Sequence, residues 1–137
     1  MAKAVTTNFS KLSEAIRRAE KKAPAATAKK VTAIALDLSG RSARLSPVDT
    51  GDLRNNCTAQ VNGTTVFEKQ RPAASPFPAS RAEAVVGYSL PYALRQHEEL
   101  GYRHPKGGQA KFLEQPLLEK EKDYISLLAS IPDEVMK

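Results

Sequence analysis

The stretch SPVDTGDLRNN, residues 46–56, is where one kind of periodicity in this chain ends and another begins. Upstream of it, apolar residues recur every three or four positions. Downstream, β-branched residues, turn dipeptides and prolines take over. Ser46-Pro47 stops a helix, because the residue before a proline is pushed toward extended backbone. In Asp49-Thr50-Gly51 the carboxylate can accept amide hydrogen bonds while the glycine supplies a positive φ, which is the chemistry of a turn. The fold follows from what this turn separates.

On its N-terminal side, FSKLSEAIRRAEKKA (residues 9–23) sets Phe9, Leu12, Ile16, Ala19 and Ala23 on one stripe of an amphipathic helix, with Lys and Arg on the opposite face. Pro24 breaks, kinks or restarts that helix, since it lacks an amide donor and clashes with the preceding turn. The pattern resumes at Val31, Ile34, Ala35 and Leu38, and Gly40 loosens its end. The spacing predicts one long N-terminal helix, or two consecutive ones, over residues 9–45.

On its C-terminal side, RNNCTAQV (residues 54–61) reads as a strand running into Asn62-Gly63, a strong two-residue hairpin signal. TTVFEK supplies the returning strand. Residues 70–81, QRPAASPFPASR, read as a long, exposed, projecting loop, because their prolines oppose helix. AEAVVGYS (residues 82–89) is a third strand. In LPYALRQHEEL, Ser89 is placed to cap a short helix with Pro91 in its first turn and Gly101 as its stop. Residues 101–111, GYRHPKGGQAK, form a second projecting loop. In FLEQPLLEKEKDYISLLASI the apolar residues again fall at helical spacing, with Pro116 in the first turn and Pro132 ending the helix. The expectation is one α+β domain over residues 1–137: a long N-terminal helix, a small antiparallel sheet with a β-hairpin, a short helix, and a C-terminal helix packed on the sheet.

Aromatic residues make up 6% of the chain and tryptophan is absent, so the core is modest and burial against partners is expected. A single cysteine, Cys57, excludes an intrachain disulfide and suits a reducing compartment. No apolar run approaches the ~20 residues needed to cross a bilayer, and no apolar leader opens the chain, so no membrane partner and an intracellular origin are expected. The net charge of +6 is unevenly spread, with a basic N-terminal third and an acidic C-terminal end. Arg17, Arg18, Lys21, Lys22, Lys29 and Lys30 are the candidates to face nucleic acid or an acidic partner, against the plainer reading of a solvated helix face.

Asp49-Thr50-Gly51 is also the triplet by which retroviral-type aspartic proteases carry a catalytic carboxylate, and a homodimer would bring two together. The surroundings oppose this. A basic helix and Ser46-Pro47 precede the triplet where a hydrophobic strand is needed, charged DLRNN follows it, and the span before VVGYS is too short for flap and barrel strands. His97, Glu98, Glu99 and His104 lack the spacing of a zinc site. Gly107-Gly108 lacks the P-loop spacing. Cys57 reads as packing. No catalytic residue, cofactor or metal is therefore expected. Base-specific DNA recognition is not expected either, since no helix-turn-helix, zinc finger or aromatic platform is present; non-specific DNA binding remains an alternative.

In order and spacing, PVDTGDLRNN, VVGYSLPYALRQHEEL and GQAKFLEQPLLE resemble the head–tail joining, or tail-completion, proteins of tailed bacteriophages, the neck and minor capsid class. The matching positions are Pro47, Val48, Asp49, Thr50, Gly51, Leu53 and Arg54; Val86, Gly87, Tyr92 and Ala93; His97 and Glu98; and Phe112, Leu113, Glu114 and Leu117. The resemblance covers about residues 10–130, apart from residues 101–109, which are longer than the glycine turn of many members. It implies a structural, non-enzymatic virion protein, assembled in the bacterial cytoplasm into a homo-oligomeric ring of six copies, or else twelve. Its neighbours would be a portal, adaptor or connector ring and a tail terminator or tail tube, with DNA passing through the lumen. In that family the Asp-Thr-Gly triplet is a structural turn, and the two long loops would dock on neighbouring subunits.

Overall fold

The computed structural model describes residues 10–46, 52–74, 82–89, 93–98 and 111–131. Helix α1 (Ser10–Lys22) buries Leu12, Ala15 and Ala19 and exposes its Lys/Arg face. Helix α2 (Pro24–Leu45) begins one residue later, with Pro24 in its first turn. The helical hydrogen bonds Ala23 N–H to Ala19 (2.9 Å) and Thr27 N–H to Ala23 (2.9 Å) flank the break. The two helices are thus nearly continuous, interrupted where proline has no amide to donate. Gly40 does not loosen the helix as expected: α2 runs on to Leu45 and ends at Ser46, whose ψ of 146° is the extended backbone imposed by the following proline.

A single-turn helix follows, α3 (Asp52–Asn56), where the sequence reads as the start of a strand. The strand itself, β1 (Thr58–Val61), begins only after Cys57. β1 pairs antiparallel with β2 (Thr64–Glu68) through the Asn62-Gly63 turn, and both turn residues take positive φ (51° and 83°) as a two-residue hairpin requires. A bulge beside Ala59 gives β2 one extra residue, and Val66 and the adjacent Phe67 are both buried.

The expected loop from residue 70 is a second correction. Arg71–Pro72 is an edge strand, β3, turned back on β2 by Lys69-Gln70. It continues with Ala73 and Ala74 donating to Val66 (2.7 Å) and Thr65 (3.2 Å). Pro72 is tolerated because an edge strand leaves one side unpaired. Residues 71–74 are exposed, while residues 75–81 lie outside the described residues. Strand β4 (Ala84–Gly87) pairs antiparallel with β1, so the sheet order is β3-β2-β1-β4. The short helix α4 (Ala93–Glu98) and the C-terminal helix α5 (Glu114–Ala129), with Pro116 in its first turn, complete the α+β fold.

The middle helix organises the packing. One side of α2 lies on β1, β2 and β4; its flank meets α1 and α5, which also pack on each other. One core runs through all three layers, from Leu12 and Ala19 through Val31, Ala35 and Leu38 to Val61, Phe67 and Phe112.

Candidate functional site

Most of the sequence-predicted site residues that lie among the described residues meet in one seam, where the C-terminal half of α2, α3, β4, α4 and the start of α5 converge. Arg54 fixes the first junction. Its guanidinium donates to the carbonyls of Ser46 (3.1 Å) and Arg44 (2.8 Å), taking up acceptors that the end of α2 leaves free. A cation there also complements the negative end of the helix dipole. Leu53 beside it is buried in the core.

Gly87 pairs with Thr58 at the end of β4 and delivers the buried Tyr88 inward. The Tyr88 hydroxyl hydrogen-bonds Ser42 Oγ at 2.7 Å, and its ring meets Phe112 edge-on at 5.0 Å. Phe112 meets His97 edge-on at the same distance. His97 is committed on both ring nitrogens: Nε2 accepts the Glu114 amide (3.2 Å), and Nδ1 contacts the carboxylate of Glu98. Its carbonyl accepts the Lys111 amide at 2.7 Å. Lys111 Nζ in turn bridges Glu98 (2.7 Å) and Glu114 (3.4 Å). Ala93 is buried at the head of α4.

Sequence reasoning missed several members of this seam. Asn56 joins α3 to the end of β4, accepting the Ser89 amide at 2.6 Å and donating to the Ser89 hydroxyl at 3.0 Å, so the Ser89 side chain is engaged there. Ser42, Tyr88 and Lys111 carry no motif of their own. Only Tyr88, as the residue after Val86-Gly87, offered a hint.

Pro47, Val48, Asp49, Thr50, Gly51 and Tyr92 lie outside the described residues, as do His104 and residues 101–110.

The electrostatics describe a lock. Burial pushes the Cys57 thiol up to about 11, so it is not a thiolate at neutral pH; its Sγ points to the Ser39 carbonyl at 3.7 Å. Burial likewise raises Tyr88, keeping its hydroxyl protonated as a hydrogen-bonding group. The Lys111 ammonium, then His97, hold the Glu98 carboxyl below its usual range. Among the described residues no group of three or more His, Cys, Asp or Glu is placed to hold a metal ion. An apolar groove of about 190 Å³ between α1, α2, β4 and α5 is lined by Leu12, Ile16, Val31, Leu38, Val86 and Leu117. That is below the roughly 300–1,000 Å³ usual for small-molecule sites. No helix among the described residues is long and apolar enough to cross a membrane.

The six basic candidates lie apart from the seam, four on α1 and two on α2. Arg17, Arg18, Lys21, Lys22 and Lys29 are exposed and Lys30 is half-buried. Comparison with protein families, with curated proteins and with solved structures finds no match to this chain.

Proposed function

We propose that this chain is a structural subunit of the neck of a tailed bacteriophage, forming a ring between the capsid portal and the tail. The observation that carries the reading is the seam. Arg54, Gly87, His97, Glu98 and Phe112 belong to three separated motifs, and they sit along one framework of hydrogen bonds and ring contacts, with Leu53 and Ala93 of the same motifs buried in the core. Within that framework the thiol is protonated and the imidazole is engaged on both sides, while the buried Ser39 hydroxyl beside the thiol has no hydrogen-bond partner. Such a site suits transmitting position and resisting deformation; among the described residues its thiol and imidazole are not poised as nucleophile or base.

Electron cryomicroscopy of intact particles tests this. The chain should appear as a closed ring of fixed copy number, six first and twelve second, between portal and tail. Tailed particles complete without the chain would overturn the reading. So would peptide cleavage by the purified protein that disappears on Asp49→Asn.

A further inference from the structure

We propose that the ridge formed by Arg17, Arg18, Lys21 and Lys22 on α1 with Lys29 and Lys30 on α2 binds the phosphate backbone of duplex DNA without reading its bases. This goes beyond the ring reading and stands or falls separately from it.

Between residues 11 and 30 the chain carries seven Lys/Arg and two Glu. On α1, Arg17 and Lys21 form one i,i+4 row and Arg18 and Lys22 a second, each pair about 6 Å apart along the helix axis. Arg17 and Lys21 lie opposite the buried Leu12 and Ala19, while Arg18 and Lys22 lie on the flank that leads round to Ala15, so the four exposed charges cover two adjoining sides of the helix. None of the six basic residues has an ion pair or a side-chain hydrogen bond among the described residues. Elsewhere Arg41 holds Asp37, Lys111 holds Glu98 and Glu114, Lys120 holds Asp123, and Arg54 holds two carbonyls. The dipole of α1 accounts for Lys21 and Lys22 in its last turn, but not for the other four.

Two observations choose the partner. The chain's own described acids are largely engaged: Asp37 with Arg41 and Tyr124, Glu20 with the Ala82 amide, Glu98 and Glu114 with Lys111, Glu119 with Gln115, and Asp123 with Lys120. The exposed face of α5 also mixes Lys122 with its acids, so a second copy is a poor counter-surface. Protein interfaces, moreover, are depleted in lysine and centred on aromatic or apolar anchors. The exposed large hydrophobics of the described residues are Val85 and Leu118, neither on α1 or α2. Cations without an anchor suit phosphates. Without an Asn, Gln or aromatic side chain on the ridge, they position DNA and do not specify sequence.

Fluorescence anisotropy of a labelled random-sequence duplex with the full chain tests this. Log affinity should fall with log salt by about 0.9 per phosphate engaged, so four contacts give roughly a hundredfold loss between 50 and 200 mM salt. Arg17→Glu with Arg18→Glu should weaken binding at least about tenfold and flatten that slope by about two contacts. Lys69→Glu with Arg71→Glu makes the same change in net charge at the exposed β2–β3 turn and should weaken binding far less. Should the α1 double reversal lose its helical circular dichroism, Arg17→Gln with Arg18→Gln carries the same expectation with a smaller loss. Equal losses from the two pairs, no binding at 50 mM salt, or tighter binding to polyglutamate than to DNA would each overturn the proposal.

Discussion

Asp37 shows how one side chain joins distant parts of this chain. It lies on α2, and its Oδ2 accepts hydrogen bonds from Arg41 Nε (2.8 Å) and from the Tyr124 hydroxyl on α5 (2.7 Å). Partial burial works against its charge, but the bonds from Arg41 and Tyr124 outweigh that and hold its carboxyl below the usual range. A carboxyl depressed in the folded state stabilises it fully above the unfolded value, near about 3.9, and loses that contribution as pH falls through the lower folded value. Tyr124→Phe should therefore cost about 1 kcal/mol at pH 7. The gap to wild type should narrow below about pH 4 as Asp37 protonates. Urea midpoints at pH 7 and pH 3 check this, and a gap that is unchanged in acid would show that Tyr124 acts by packing alone. Nothing in the sequence marks this pair, because the two residues are 87 positions apart and each sits in an ordinary helical pattern.

At the scale of elements, the β2–β3 hairpin separates what could be read from what could not. In the β1–β2 hairpin before it, Asn62-Gly63 announces the turn because both residue types accept positive φ cheaply. Lys69 and Gln70 adopt the same left-handed backbone, φ 50° and 63°, with side chains that disfavour it. They are held by the Glu68–Arg71 pairing and by Gln70 Nε2 donating to Asn55 on α3 at 2.7 Å. Replacing Lys69-Gln70 by Asn-Gly removes that hydrogen bond to Asn55 but relieves the backbone strain. The net effect should be a gain in stability of about 1 kcal/mol, read from the thermal or urea midpoint. A fall in stability would mean that the bridge to α3 outweighs the strain. The same contrast explains α3, which is too short and too rich in Asp and Asn for propensity to reveal it. It exists beside the guanidinium contacts of Arg54, which are tertiary. The helices and the first hairpin were legible because their signals are local; α3, β3 and the links Asn56–Ser89 and Ser42–Tyr88 were not, because theirs are not.

For the whole molecule, the core that joins three layers leaves β4 at an edge of the sheet. β4 pairs only with β1 among the described strands, and its run Ala84-Val85-Val86-Gly87 has no charge and no proline. Natural sheets usually protect an edge with one or the other. Val85 pairs with the exposed Gln60 on the face away from α2 and is itself 56% exposed, so it contributes little to the fold. If subunits associate in a ring, an uncharged edge of this kind is where backbone pairing or apolar contact between copies is cheapest, and a lysine there opposes it. Val85→Lys should leave the isolated chain within about 1 kcal/mol of wild type, since the side chain stays in water on the outer face. In assembly the same substitution should cost far more, seen as loss of the chain from purified particles. Normal incorporation of the Val85→Lys chain would place the interface elsewhere. A large fall in the stability of the isolated chain would instead show that β4 depends on Val85 for folding, and the argument from an unprotected edge would fail with it.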